Sequence, residues 1–171
     1  MESILENVAS MMALSARTAP KTAGQDFVDI KILKGRDMEK LADAMEEYGA
    51  KTGKINYDRD ARGIRDSGAV LLLSLNEALH AGLNCGACGF EKCNQLQLTE
   101  RDEFAGPVCA WRLVDLGIAL GSAVKTAGIF NADNRIMYRV GVIARREELI
   151  QGEIVIGVPL AASGKNIFFD R

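Results

Sequence analysis

A chain of 171 residues, 48% of them hydrophobic, is long enough to bury one core and needs no covalent staple to do so. Its 21 basic and 23 acidic residues leave a net charge of -2, and there is no long basic run to track a phosphate backbone, which argues against a nucleic-acid partner. No stretch approaches the roughly 18 continuous apolar residues of a membrane-spanning helix, and acids without any base before Arg17 are unlike a signal peptide, so a cytoplasmic protein with no membrane partner is expected.

Residues 2–16 place Ile4, Leu5, Val8, Met11 and Met12 at helical spacing, with Ser3 and Glu6 disposed as a capping box, and predict an amphipathic helix. The stretch "ARTAPKTAGQD", turning around Pro20 and Gly24, is a loop. In "FVDIKIL", Val28, Ile30 and Ile32 alternate with other residues at the period of a half-buried strand. Met38, Leu41, Met45 and Tyr48 then recur three or four apart, a second amphipathic helix that Gly49 is placed to stop. "YDRDARGIRDS" predicts a shorter helix containing Gly63, and "GAVLLLSL", apolar on both faces, suits a central strand covered on both sides.

Residues 109–130 carry little polarity beyond Arg112, Asp115 and Lys125 and read as a long buried helix. Gly117, Ala119, Gly121, Ala123, Ala127 and Gly128 make it small-faced, so a helix, a sheet or a cofactor must pack close to it. Asp115 needs a partner in such a helix, and Arg112, three residues earlier, is the nearest. "NADNRIMYRVGVIARREEL" predicts a turn and a helix, although "RVGVIA" alone would pass for a strand; "EIVIGVPLA" is a buried strand. The tail "GKNIFFDR" ends the chain. Phe168 and Phe169 there, with the small-faced helix, predict burial against a second copy in a homodimer, the alternative being a tail folded back on its own domain. Interleaved helices and strands predict an α+β (layered α/β) domain over residues 1–171, with residues 80–109 inserted as a cysteine-bearing loop.

That loop holds the distinctive chemistry. "CGACGFEKC" supplies Cys85, Cys88 and Cys93, and the remaining cysteine is Cys109, giving C-x2-C-x4-C-x15-C. A cytoplasm keeps thiols reduced, and four cysteines are too few for a disulfide scaffold, so the clustering points to metal or redox chemistry. Four thiolates complete either a tetrahedral zinc site or the corners of a [4Fe–4S] cluster. Three ligands crowded on one loop with a distant fourth are the ferredoxin-like arrangement, and Gly86 and Gly89 let the backbone turn its amides toward bulky sulfur. Pro107 is placed to start the long helix and set Cys109 in its first turn. His80, the chain's one histidine, stands before the loop and is a weaker candidate ligand.

The cysteine segment, with its fourth cysteine after Gly-Pro, resembles the [4Fe–4S] module of corrinoid iron–sulfur proteins and of the cluster-bearing B subunit of Rnf-type electron transport complexes. Further stretches, "SARTAPKTAGQD", "LNCGACGFEKC", "DLGIALGSAVKTA", "NRIMYRVG" and "GKNIFFDR", resemble a family of uncharacterised prokaryotic proteins containing a ferredoxin domain. That resemblance implies a cluster on Cys85, Cys88, Cys93 and Cys109. The order of the elements also resembles the nitroreductase-type flavoproteins, which implies a nitroreductase-like sheet with flanking helices and an FMN at the "ARTAPKTAG" loop. Arg17, Lys21, Thr22 and Gly24 are then the residues placed at the flavin and its phosphate, in place of an Arg-rich clamp ahead of the first helix; the bland alternative is a solvated basic loop. Two functions stand side by side at this point. One is an electron-transfer protein or flavin-dependent oxidoreductase, with a redox protein or small-molecule acceptor as partner; the other is a zinc-stabilised structural or interaction module with no redox activity.

Overall fold

The computed structural model describes residues 1–169. In chain order it contains α1 (Glu2–Thr18), β1 (Val28–Leu33), α2 (Arg36–Thr52), α3 (Tyr57–Arg65) and β2 (Ala69–Leu75). After the cysteine loop, which carries the two-residue strands β3 (Thr99–Glu100) and β4 (Ala105–Gly106), come α4 (Ala110–Ile129), β5 (Asp133–Asn134), α5 (Tyr138–Arg146) and β6 (Ile154–Ala161). The strands β1, β2, β6 and β5 lie in that order in one antiparallel sheet, and β3 pairs with β4 in a separate ribbon.

The sheet organises two apolar cores. Every residue of β2 is buried because the strand sits between β1 and β6 with helices above and below. Its side chains alternate: Ala69, Leu71, Leu73 and Leu75 face α1 and α4, while Val70 and Leu72 face α2, α3 and α5. Each leucine so buried contributes roughly 1.5–3 kcal/mol. The stretch "RVGVIA" is helical in this setting, and α5 lies flush on β6: a Cβ at Gly141 would stand 1.7 Å from the Val155 carbonyl oxygen. Gly157 opposite leaves room for Val140 in turn, whose Cγ1 would lie 2.1 Å from an added Cβ.

Several local expectations are corrected. Helix α1 begins at Glu2 with Met1 as its N-cap, so Ser3 lies inside the helix and the Ser3–Glu6 capping box does not form. Helix α2 runs through Gly49 to Thr52 and ends on Gly53 in the left-handed conformation (φ 69), which donates its N–H to the Gly49 carbonyl at 2.9 Å. Gly49 serves a different purpose, since a Cβ there would meet Tyr57 Cβ at 2.8 Å. Pro107 follows a cis bond and does not begin α4, which starts at Ala110 with Cys109 as its N-cap. Nor is α4 buried all round, because Trp111, Leu113, Val114, Ile118 and Ile129 are exposed. In the tail, Phe168 folds back: it is buried against α3 at Gly63, and Arg135 Nη1 donates to its carbonyl at 2.9 Å. Phe169 remains exposed under the Arg135 guanidinium; the last two tail residues, Asp170 and Arg171, lie outside the described residues.

Candidate functional site

The cysteine loop leaves the sheet at the end of β2 and returns beside it. Glu153 donates its N–H to the Leu75 carbonyl at 2.7 Å and accepts from the Ala105 N–H at 2.9 Å, so both ends of the excursion meet on one residue. Beyond β4 the chain reaches Cys109 at the head of α4. This brings all four thiols to one pocket, lined also by His80, Phe90, Leu96 and Trp111. Cys109 is buried, Cys88 and Cys93 are half-buried, and Cys85 is exposed. Among the described residues no three His, Cys, Asp or Glu side chains are arranged around the position of a single ion.

Donors are aimed at the sulfurs. Asn84, in the left-handed conformation (φ 47), donates its N–H to Cys93 Sγ at 3.3 Å and accepts from the Cys93 N–H on its side-chain oxygen at 2.9 Å. The clamp joins the segment before the first cysteine to the third. Gly86 (φ 72) and Gly89 (φ 90) turn the backbone between them. The Ala87 amide, and after it the Trp111 indole, hold the Cys85 thiol below its ordinary pKa, the indole Nε1 lying 3.3 Å from Sγ. Asn84 and Trp111 were missed in the sequence, where the only signal was adjacency: one precedes Cys85, the other follows Cys109 by two. Four soft thiol donors with N–H groups directed at their sulfurs fit an iron–sulfur cluster.

The far side of the loop is pinned by charge. Asp102 accepts from the Tyr48 hydroxyl at 2.9 Å and from Arg146 Nη1 at 2.9 Å, and these bonds, with Lys54, hold its carboxyl below the usual range. Lys54 donates to Glu103 at 2.7 Å and to Tyr48, which raises its own pKa, and Arg145 holds Glu100 through two bonds of 3.0 and 2.7 Å.

The "ARTAPKTAG" loop lies against α4 and is held internally. Lys21, its side chain only 5% exposed, donates to the carbonyls of Ala16 at 2.8 Å and Arg17 at 2.6 Å, closing the end of α1. Arg17 donates to Asp26 at 2.7 Å and to the Val28 carbonyl at 2.8 Å. Burial pushes Asp26 up, but the Val28 amide, Arg17 and Lys21 together hold it below its ordinary pKa. Thr22 gives both its N–H and its hydroxyl to Asp115 Oδ1, at 2.7 and 2.8 Å, and Gly24 (φ 67) faces open space. As arranged, Arg17 Nη1, the Lys21 ammonium and the Thr22 N–H and hydroxyl bond to protein acceptors, while the Arg17 side chain remains 50% exposed.

This architecture matches solved nitroreductases. Nitroreductase A from Vibrio parahaemolyticus superposes with a TM-score of 0.57 at 14% identity over 94% of this chain and 59% of that one, so the chain spans about three-fifths of its length. An FMN-bound nitroreductase from Desulfitobacterium hafniense gives 0.59 at 11% identity, covering 93% of this chain and 78% of that one. The FMN-dependent NfnB from Mycobacterium smegmatis, solved with NADPH, gives 0.60 at 12% identity over 93% and 78%. These identities define a nitroreductase-like α+β fold and nothing finer. A protein from Archaeoglobus fulgidus is 47% identical over 165 residues, 95% of this chain and 89% of its own length, and residues 105–171 match the family described as uncharacterised proteins containing a ferredoxin domain. The chain belongs to that family. Among the described residues no helix is long and apolar enough to cross a membrane.

Proposed function

We propose that the protein binds one [4Fe–4S] cluster on Cys85, Cys88, Cys93 and Cys109 and passes single electrons between a donor and a protein or small-molecule acceptor. The observation that carries this reading is the gathering of all four thiols on one pocket with N–H groups directed at two of their sulfurs. A bound cluster supplies one-electron chemistry. The chain's own part is to fix the ligands: the head of α4 carries Cys109, the Asn84 clamp sets Cys93, and the ion pairs of Glu100, Asp102 and Glu103 hold the loop's return against α5 and against Lys54 in the turn after α2. Residues 80–109 act in this reading as an inserted cofactor loop.

Anaerobic reconstitution with iron and sulfide is expected to give about four irons and four sulfides per chain and a broad absorption band at about 400 nm that bleaches with dithionite. Cys93→Ser should lower both the iron content and the band. One zinc per chain without sulfide, under the same conditions, overturns the reading in favour of a structural zinc module.

The nitroreductase-like fold supports a flavin as a second redox group, and FMN is named for the Desulfitobacterium hafniense and Mycobacterium smegmatis neighbours. Arg17, Lys21, Thr22 and Gly24 would lie at its phosphate; Lys21, Thr22 and Arg17 Nη1 bond to protein acceptors here, and no step is derived through the flavin. A second copy of the chain is the proposed structural partner. Met11 and Leu14 of α1 and Leu113, Val114 and Ile118 of α4 are exposed apolar side chains on two helices that pack together, and an added Cβ at Gly117 or Gly121 would meet nothing within 4 Å.

A further inference from the structure

Trp111 is the chain's single tryptophan. It stands in the first turn of α4, two residues past Cys109, and bridges back to the other end of the cysteine constellation through its indole N–H on Cys85 Sγ at 3.3 Å. Its ring forms part of the pocket wall and is 39% exposed, beside the most exposed of the four cysteines. The other N–H groups on these sulfurs belong to the backbone, at Asn84, Ala87 and Cys85 itself, and are fixed by the fold. Among the described residues the indole is the one side chain seen to donate to a cysteine sulfur.

We infer that Trp111 is a positioning residue for the redox centre: its N–H holds the Cys85 sulfur and raises the centre's reduction potential, while its ring shields the water-facing edge. The inference rests on the cluster reading above. One electron delivered to a four-thiolate centre increases the negative charge carried on its sulfurs, so a donor aimed at one of them stabilises the reduced form more than the oxidised form. The apolar ring limits water at the same sulfur, and solvent access is a second control on potential. One charge-assisted bond of this kind changes the reduction equilibrium by about tenfold.

The test compares reconstituted wild type with Trp111→Phe, which keeps an aromatic ring and deletes the donor. Wild-type iron and sulfide content judges the cluster reading by itself; a wild type that takes up no cluster removes that reading and this inference with it. With both proteins loaded, a titration with dithionite and redox mediators, followed by electron paramagnetic resonance, is expected to place the variant's midpoint lower by about tenfold in equilibrium, ~59 mV for a one-electron couple. Equal midpoints at equal iron content overturn the inference. A second measurement does not depend on the variant folding: Trp111 is the sole indole emitter, so cluster loading of the wild type must quench tryptophan fluorescence severalfold, and emission unchanged by loading shows that the indole does not stand at the centre.

Discussion

Arg112 has no exposed surface, and its guanidinium joins three separate parts of the chain. It donates to the Leu79 carbonyl at 2.8 Å where the cysteine loop begins, to Thr22 and Gln25 of the "ARTAPKTAG" side, and to Asp115 at 3.2 Å within α4, while stacking 4.7 Å over the Phe27 ring. A buried guanidinium with these acceptors is stable only because the fork of donors is almost fully used. Arg112→Met leaves Asp115 without its counter-charge and strands several carbonyls, and is expected to cost about 3–5 kcal/mol in urea denaturation. Arg112→Lys keeps the charge, reaches fewer acceptors, and should fall between the two. A methionine variant within about 1 kcal/mol of wild type would show that the network is incidental. The Arg112–Asp115 pair was legible in sequence, since an acid in an apolar helix must find a partner within a turn. Thr22 and Leu79 were not, because residues 90 and 33 positions from Arg112 announce themselves only once the chain is folded.

The contact of α5 with β6 shows what element-scale patterning hides. Val140, Gly141, Val142, Ile143 and Ala144 are buried without a break, and a contiguous apolar run of that length fits a buried strand as readily as a helix. The decisive residues are the two glycines that let helix and strand touch. Gly141→Ala puts a methyl group into the Val155 backbone, which no rotamer change relieves, and is expected to cost more than about 3 kcal/mol by chemical denaturation. A smaller loss would mean that α5 can lift from the sheet without penalty. The same kind of contact accounts for Gly49: at sequence level a glycine after an amphipathic run reads as a stop, whereas here it makes room for Tyr57 and the helix ends four residues later, at Gly53.

For the molecule as a whole, alternation in "FVDIKIL" and the run "GAVLLLSL", apolar on both faces, made a half-buried and a central strand readable, and with them the layered α+β class. Strand order was not readable, because antiparallel neighbours drawn from opposite ends of the chain leave no local mark, and β5 is only two residues long. The cysteine spacing announced the candidate site, while the donors that face its sulfurs emerged only in three dimensions. The exposed apolar side chains of α1 and α4 lead to the last expectation: light scattering at micromolar concentration should give twice the chain mass of 18.5 kDa, and Ile118→Asp should return it to the monomer. Wild type measured at the single-chain mass would remove the dimer.

The meeting of both ends of the cysteine loop on Glu153 has a consequence for how such a chain can change over generations. An excursion that departs and rejoins at neighbouring points of a finished sheet adds closure entropy that grows only logarithmically, about 0.6 kcal/mol for each doubling of its length. The scaffold can therefore tolerate lengthening, trimming or exchange of that segment with little thermodynamic memory of what was there, provided Leu75, Glu153 and Ala105 keep their bonds. Cofactor chemistry on this framework is in that sense portable, and Cys109, rooted in the scaffold's own helix, is the anchorage that any replacement loop would have to meet.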